Sequence, residues 1–219
     1  MAAAARAATV KRVTVGGSQR VYSGRPVEDR RAERRRRFIA AGLSTFGEHG
    51  YQETSITMLC QVAGLARAQF YELFGSREQL LLAVYDMIHS DARQAVAEAL
   101  STTEDPEVAG RARVVVRAYA ESIGTNPHRA RVSFIEIVGV SAEVEKHRIQ
   151  QRQVWMGFFI KELKRVRGSD LPPAGGYKAA ATGFIGALMA LVHQWSIDGT
   201  RAELDDLIEV LTRFLISVI

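Results

Sequence analysis

Apolar residues recur along most of the chain at spacings of three and four, which is the period of an α-helix. The first such face combines Phe38, Gly42 and Phe46, and it predicts a helix from about Glu28 to a stop at Gly50. A half-buried strand would need a sustained alternation of apolar and polar residues, which the sequence lacks. We therefore predict an all-α fold.

Two short helices are predicted next. Thr54 and Ser55 are good N-cap residues and open the first short helix, which Gly64 ends. The second short helix turns Phe70 inward and ends before a new cap at Ser76. A long helix of about 25 residues follows that cap.

Helix-breaking pairs divide the rest of the chain into about four or five further helices. These pairs stand at 105–106, 126–127, 168–169 and 172–173. The segment 179–197 has no formally charged residue and is almost long enough to span a bilayer. Polar residues such as His193 and Gln194 interrupt it, so a helix buried between other helices is favoured over a membrane span.

Composition narrows the classes of protein. The 219 residues are 47% apolar, enough for the core of one large or two small domains. The single cysteine, Cys60, cannot form an intrachain disulfide, and no Cys/His cluster has the spacing of a metal site. Because no Gly-rich phosphate loop or nucleophile elbow is present, we expect neither enzyme activity nor a cofactor. The N-terminus lacks the apolar run of a secretory signal, which favours the cytoplasm.

Positive charge is concentrated at the N-terminus. Residues 1–37 carry eleven Lys and Arg against three acids, a net charge of +8, whereas the remaining 182 residues total −3. Such a basic end favours an anionic partner, and charge alone leaves nucleic acid and a membrane surface open. A solubilising tail is the alternative. Residues 1–27 have no apolar period and are predicted to form a flexible arm.

The two short helices joined through Gly64 have the pattern of a helix-turn-helix, whose second helix enters the major groove of DNA. Arg67 can bond guanine and Gln69 adenine, each through two hydrogen bonds, while Glu72 either accepts from cytosine or is simply solvated. Small side chains let the backbone approach, and hydroxyls and cations suit phosphate. The predicted DNA-binding residues are Thr54, Ser55, Ala66, Arg67, Ala68, Gln69, Tyr71, Glu72, Ser76 and Arg77.

The run from Gly50 to Leu81 resembles the signature of the tetracycline-repressor (TetR) family of bacterial transcriptional regulators. The matching positions are Phe46, Gly50, Tyr51, Thr54, Ser55, Leu59, Ala63, Gly64, Phe70, Tyr71, Phe74, Ser76, Arg77, Glu78, Leu80 and Leu81. The run departs from the family at Ala66 and Gln69, where Ser or Thr is usual. Gln69 is therefore a candidate for contacting a base instead of a phosphate.

This resemblance implies an N-terminal helix-turn-helix DNA-binding domain followed by a C-terminal helical domain for ligand binding and dimerisation, with about nine helices in all. The predicted divisions are a basic arm at 1–27, a DNA-binding domain at 28–87 and a ligand-binding and dimerisation domain at 88–219. The resemblance also implies a homodimer formed through the last two helices, a double-stranded DNA operator as partner and no membrane.

Two faces suit that dimer. The last helix has an apolar stripe, and the helix before it has a smooth face of small residues. The stripe consists of Leu204, Leu207, Ile208, Leu211, Leu215 and Val218, and the small residues are Ala180, Gly183, Ala187 and Ala190. Together they predict a four-helix bundle with a second subunit, with core packing inside one protomer as the alternative.

Aromatic and sulfur-containing side chains gather in the later helices, as they do around an apolar ligand and equally in an ordinary core. The candidate ligand-binding residues are Phe134, Trp155, Phe159, Phe184, Leu188 and His193. Glu136 and Gln194 are further polar groups that could orient a ligand. The effector is expected to be a small, apolar molecule.

The sequence therefore predicts a sequence-specific, ligand-responsive repressor that binds a palindromic operator as a homodimer. Two alternatives remain open at this point. One is an architectural protein that coats DNA without sequence preference, and the other is a helical protein for apolar ligands whose DNA motif is vestigial.

Overall fold

The computed structural model describes residues 27–167, 172–198 and 203–218. Within these ranges the chain forms nine α-helices and no strand, as the apolar periodicity predicts. The predicted arm, except for its last residue, lies outside the described residues.

Three helices form the N-terminal unit: α1 (Val27–His49), α2 (Ile56–Ala63) and α3 (Arg67–Leu73). Ser55 caps α2 by accepting a hydrogen bond from the Met58 backbone N–H at 3.1 Å. Gly64 ends α2 in the left-handed conformation, with φ of 61°, where a side chain would be strained. Phe38 and Phe70 meet edge to face in the core of this unit, with 5.4 Å between the ring centroids.

Helix α4 (Arg77–Thr102) connects this unit to the rest of the protein. Ser76 caps it, as predicted, by accepting from the Gln79 backbone N–H. The helix continues without a break through residues 87 and 88, so the predicted domain boundary falls inside it. Its buried residues contribute to one core that is continuous from α1 to α9.

Helix α4 and all the helices after it form the body of the protein. After α4 the body continues with α5 (Val108–Gly124), α6 (Pro127–Arg131) and α7 (Ala142–Arg167). Asn126 caps α6, as expected for an Asn-Pro pair. A π-helical turn, Val132–Glu136, directly extends α6. The sequence patterns predicted neither this turn nor the break at Gly139, where φ is 73°.

The last two helices, α8 (Gly176–Asp198) and α9 (Leu204–Val218), pack on α5 and on each other. The apolar stripe of α9 packs within the protomer, because Leu207, Leu211 and Leu215 are buried without any second chain. The prediction that this stripe forms part of the dimer interface was therefore wrong. Gly183 and Ala190 of the small-residue face are exposed, whereas Ala180 is buried.

Among the described residues, Gly176–Ile197 is the one segment long and apolar enough to cross a membrane, with a mean hydropathy of 1.3. Core helices of soluble proteins meet the same criterion. Phe184, Leu188 and Val192 of this helix are buried in the core shared with α5, α7 and α9. A core helix therefore accounts for the uncharged run.

Candidate nucleic-acid interface and ligand cavities

The exposed face of α3 carries Ala66, Arg67, Ala68 and Tyr71, which the sequence placed at the DNA surface. The Arg67 guanidinium donates to the Tyr71 hydroxyl at 3.2 Å and lies 5.7 Å from the centroid of its ring. This contact orients the cation along the outer face of the helix. A guanidinium held this way at the start of a recognition helix can form two hydrogen bonds to guanine.

Gln69 is committed to the local fold of α3. Its carboxamide oxygen accepts from the backbone N–H of Ala66 at 3.0 Å and so caps the helix. Bidentate binding of adenine needs both the oxygen and the amide nitrogen. In this arrangement the cap fixes the direction of the carboxamide, so the expected adenine contact is not preformed.

Glu72 forms an ion pair with Arg34 of α1, with 3.4 Å between a carboxylate oxygen and the guanidinium. The carboxylate is about half exposed, at 52%. Glu72 therefore also joins α3 to α1, and its roles as a cytosine acceptor or a solvated acid both stay predictions.

Thr54 is not available to DNA, and its assignment as a phosphate donor was wrong. Its side chain is fully buried, and its hydroxyl donates to the backbone carbonyl of Gly50 at 2.6 Å. Thr54 thus fixes the turn between α1 and α2, whereas its neighbour Ser55 remains exposed at the start of α2.

A shallow groove beside α3 brings several predicted phosphate contacts together. It is lined by Ser55, Ile56, Thr57, Arg67 and Arg77. Arg77 lies 4.4 Å from the centroid of the Tyr51 ring and donates to the backbone carbonyls of Gln52 and Thr54. Two guanidinium groups beside two hydroxyls at a helix N-terminus form a surface that suits a DNA phosphate.

Thr57 belongs to this groove, although the sequence reasoning missed it. It is exposed in the first turn of α2, two residues after the cap. In the sequence, a hydroxyl in the first turn of the predicted helix was the signal that could have indicated a phosphate contact. Ser76, another of the predicted DNA-binding residues, is the N-cap of α4. Its hydroxyl already accepts a backbone hydrogen bond.

Each of the four consecutive arginines 34–37 contacts another residue of the protein. Arg35 lies over the Phe74 ring at 5.5 Å, and Arg36 pairs with Glu33 at 2.6 Å. Arg37 donates to the carbonyls of Ala63 and Gly64 at 2.6 and 3.2 Å and so closes the end of α2. Since Arg34 also has a partner, this run is less available for phosphates than its charge suggested.

A polar cluster joins the body to the end of α1. The Glu136 carboxylate accepts from the backbone N–H of Tyr51 at 2.6 Å and from Arg131 at 2.8 Å. Arg131 also donates to the Glu48 carbonyl at 3.0 Å. Glu136 therefore links the π-helical turn to the DNA-binding unit. The sequence had suggested that it orients a ligand, but Glu136 lines neither of the two cavities described below.

Two neighbouring cavities divide the predicted ligand-binding residues. Trp155, Phe159, Phe184 and Leu188 line an apolar cleft between α5, α7, α8 and α9, with a free volume of about 40 Å³. Phe134 and His193 instead line a polar cavity of about 260 Å³ between α4, the π-helical turn, α7 and α8. The sequence had grouped these six residues in one apolar pocket.

The comparisons with known proteins agree with this architecture. Residues 38–84 match the family model described as bacterial regulatory proteins, tetR family. The fold is similar to that of the fatty acid degradation regulator FadR from Bacillus halodurans, with a TM-score of 0.72, 16% identity and coverage of 83% of this chain and 94% of that one. FadR from Bacillus subtilis, solved in complex with stearoyl-CoA, gives a TM-score of 0.71 at 15% identity and covers 84% and 98% of the two chains.

A TetR-like transcriptional regulator from Rhodococcus sp. RHA1 is also similar, with a TM-score of 0.64, 18% identity and coverage of 83% and 93%. At these identities the structural likeness establishes the fold. The family match runs from the middle of α1 to the second turn of α4 and so includes the whole helix-turn-helix. The family match therefore covers the helix-turn-helix unit, and the likeness of the remaining helices to TetR-family regulators is one of fold.

Proposed function

We propose that the protein is a ligand-responsive transcriptional repressor that binds a palindromic operator as a homodimer in the cytoplasm. The observation that carries this proposal is the exposed Arg67 on α3, oriented by Tyr71 beside the groove of Ser55 and Arg77. One base-contacting cation next to a phosphate site is what sequence-specific recognition by a helix-turn-helix requires.

The exposed faces of α8 and α9 support the dimer. Gly183 on α8 and the pair Val210 and Phe214 on α9 are exposed in the single chain. Apolar and small residues that cover two adjacent helices are typical of a subunit interface. Two recognition helices would then lie about 34–36 Å apart, one turn of DNA.

The two cavities of the body support a response to a ligand. The B. subtilis FadR structure, which has the same fold, holds stearoyl-CoA. We propose that an effector bound in the body favours a state in which the recognition helices no longer match the operator. For an effective switch, the effector must bind that state several kcal/mol more tightly than the DNA-bound state.

The first experiment is a footprint on the DNA upstream of the protein's own gene, together with a selection from random sequences, at physiological salt. We expect a protected two-fold symmetric site. Arg67→Ala should weaken binding to that site by about 1–3 kcal/mol and reduce the preference over scrambled DNA. Arg36→Ala, which removes an exposed cation paired with Glu33, is the matched control and should keep the preference.

The same experiment tests the two alternatives. Uniform affinity for all sequences with a steep dependence on salt would indicate an architectural protein. No binding near physiological salt, even after the selection, would indicate a ligand-binding protein with a vestigial motif. Either result would overturn the proposed repressor.

The dimer has its own test by light scattering. Gly183 and Gly157 are both exposed on helices, and a Cβ at either position meets no atom within 4 Å. Gly183→Arg should therefore give a folded monomer, whereas Gly157→Arg on α7 should stay dimeric. A Gly183→Arg variant that remains a dimer would exclude this face of α8 from the interface.

A further inference from the structure

The polar cavity is lined by basic and neutral polar groups. Its lining consists of Tyr85, His89, Ser133, Phe134, Val138, Arg148, Arg152, Gly186, Met189, Ala190 and His193. No carboxylate is among these described residues. The positive charge in the cavity is therefore not balanced by its own walls.

His89 is one of the residues that line this cavity, and it is almost completely buried. Its side chain is only 1% exposed, and the Trp155 indole N–H donates to its Nδ1 at 3.0 Å. Burial, helped by Arg93, Arg129 and His147, lowers the pKa of His89 to about 3, so the ring is neutral. Because Nδ1 accepts, Nε2 carries the proton, and this buried N–H has no partner among the described residues.

Two more polar atoms of the cavity are without a hydrogen-bond partner in the described part of the chain. They are the hydroxyl of Ser133, a residue that is 7% exposed, and Nε2 of His193. The His193 ring stacks on Phe134 with 5.0 Å between the centroids. A buried polar atom without a partner is unfavourable, so three such atoms on residues that line one cavity favour a ligand that pairs with them.

Arg152 supplies a full positive charge. Arg148, one turn earlier on α7, is held by Glu145 through two hydrogen bonds of 2.8 Å. Arg152 is half-buried and forms no hydrogen bond or ion pair with any other described residue. The Glu145 carboxylate bonds Arg148 and attracts Arg152 only at longer range, so the Arg152 guanidinium beside neutral donors is suited to one negative charge.

The other walls are apolar. Phe134, Val138, Met189 and Ala190 give the cavity an apolar side opposite its donors. We propose that this cavity binds the carboxylate of a small amphipathic monoanion, whose oxygens pair with Arg152, His89 and Ser133 and whose apolar part packs on Phe134 and Met189. This inference rests on the proposed function only for its effect on DNA, and it changes the expected effector from an apolar molecule to an anionic one.

The test is calorimetric titration of the full chain with octanoate and with octanamide, its neutral counterpart. We expect octanoate to bind at least tenfold more tightly than octanamide, since a neutral amide forfeits the charge-assisted hydrogen bonds. Equal affinities, or no heat from octanoate at millimolar concentration, would overturn the proposal.

Variants locate the site. Arg152→Gln should weaken octanoate binding at least tenfold and leave octanamide binding unchanged. Lys161→Gln removes the same charge from an exposed position of the same helix and should alter neither. Ser133→Ala should weaken octanoate binding yet raise the melting temperature of the free protein, because it deletes an unpaired buried hydroxyl. An Arg152→Gln protein that binds octanoate as tightly as the wild type would exclude this cavity.

Operator binding distinguishes this inference from the proposed function. If octanoate binds through Arg152 but the protein never protects a DNA site, the anion-binding cavity is confirmed and the proposed repressor function is refuted. If the operator is protected but octanoate and octanamide bind equally well, the repressor function is confirmed and the proposal of an anionic effector is refuted.

Discussion

Glu136 and Tyr51 are joined by a hydrogen bond of 2.6 Å that spans 85 residues of sequence, from a carboxylate on the π-helical turn to the first backbone N–H beyond Gly50. The same turn presents Ser133 and Phe134 to the polar cavity. One short segment thus contacts both the cavity and the entrance to the helix-turn-helix. A ligand that displaces this turn would act directly on the end of α1.

Glu136→Gln tests this connection. The amide retains one oxygen and loses the charge, so it cannot serve both Tyr51 and Arg131 as the carboxylate does. We expect the free energy of unfolding in urea to fall by about 1–3 kcal/mol. The Tyr51 amide should also exchange its hydrogen faster. Glu143→Gln, at an exposed position of α7, should change neither, and equal effects of the two variants would contradict the role of Glu136.

Arg37→Met tests the closure of the turn between α2 and α3. The guanidinium donates to the last carbonyls of α2, where a cation also complements the helix dipole. Loss of these bonds should lower the free energy of unfolding by about 1 kcal/mol, measured by urea denaturation. Arg36→Met removes only an exposed pair with Glu33 and should cost less. A larger loss for Arg36 than for Arg37 would refute the assignment.

His89 should make the protein sensitive to acid. Its pKa in the folded chain is about 3, below the ordinary value of 6.5, so only the unfolded chain takes up a proton there as the pH falls below 6.5. Stability is therefore lost as the pH drops from 6.5 towards 3, by about 1.4 kcal/mol per pH unit in the middle of that window. In His89→Gln, which still accepts from Trp155, denaturation curves at several pH values should lack this part of the slope. Parallel pH profiles for the two proteins would disprove it.

Tyr119→Phe should stabilise the protein. Tyr119 is fully buried, its hydroxyl has no hydrogen-bond partner among the described residues, and burial strongly raises the pKa of the phenol. Removing the hydroxyl should raise the free energy of unfolding by about 1 kcal/mol in urea denaturation. Tyr71→Phe removes an exposed hydroxyl and should leave stability nearly unchanged. Destabilisation by Tyr119→Phe would mean that its hydroxyl has a partner.

Local signals predicted local structure well. Ser55, Gly64 and Ser76 cap or end helices as their residue types suggest, because a cap depends on the few residues beside it. Thr54 and Ser55 show the limit of such signals. The two are equally good caps in sequence, and only the tertiary fold decides that Thr54 is buried.

Features that depend on distant residues could not be predicted. Arg37 finds its carbonyl partners 26 and 27 residues later, and nothing beside it in sequence marks them. The stripe of Leu207, Leu211 and Leu215 showed that one face of α9 is buried but not which chain buries it. The functional roles of the predicted DNA- and ligand-binding residues remain predictions, to be tested as described above.

The π-helical turn gives α6 one more residue than an α-helical turn would hold. The same turn holds Ser133, which lines the cavity, and Glu136, which accepts from the Tyr51 backbone N–H. Shifting the extra residue out of the turn would rotate Ser133 relative to Glu136, and it would also move the buried side chains of Val132 and Ile137. The extra residue therefore sets the direction of the cavity-lining Ser133 relative to that of Glu136, which binds the Tyr51 backbone.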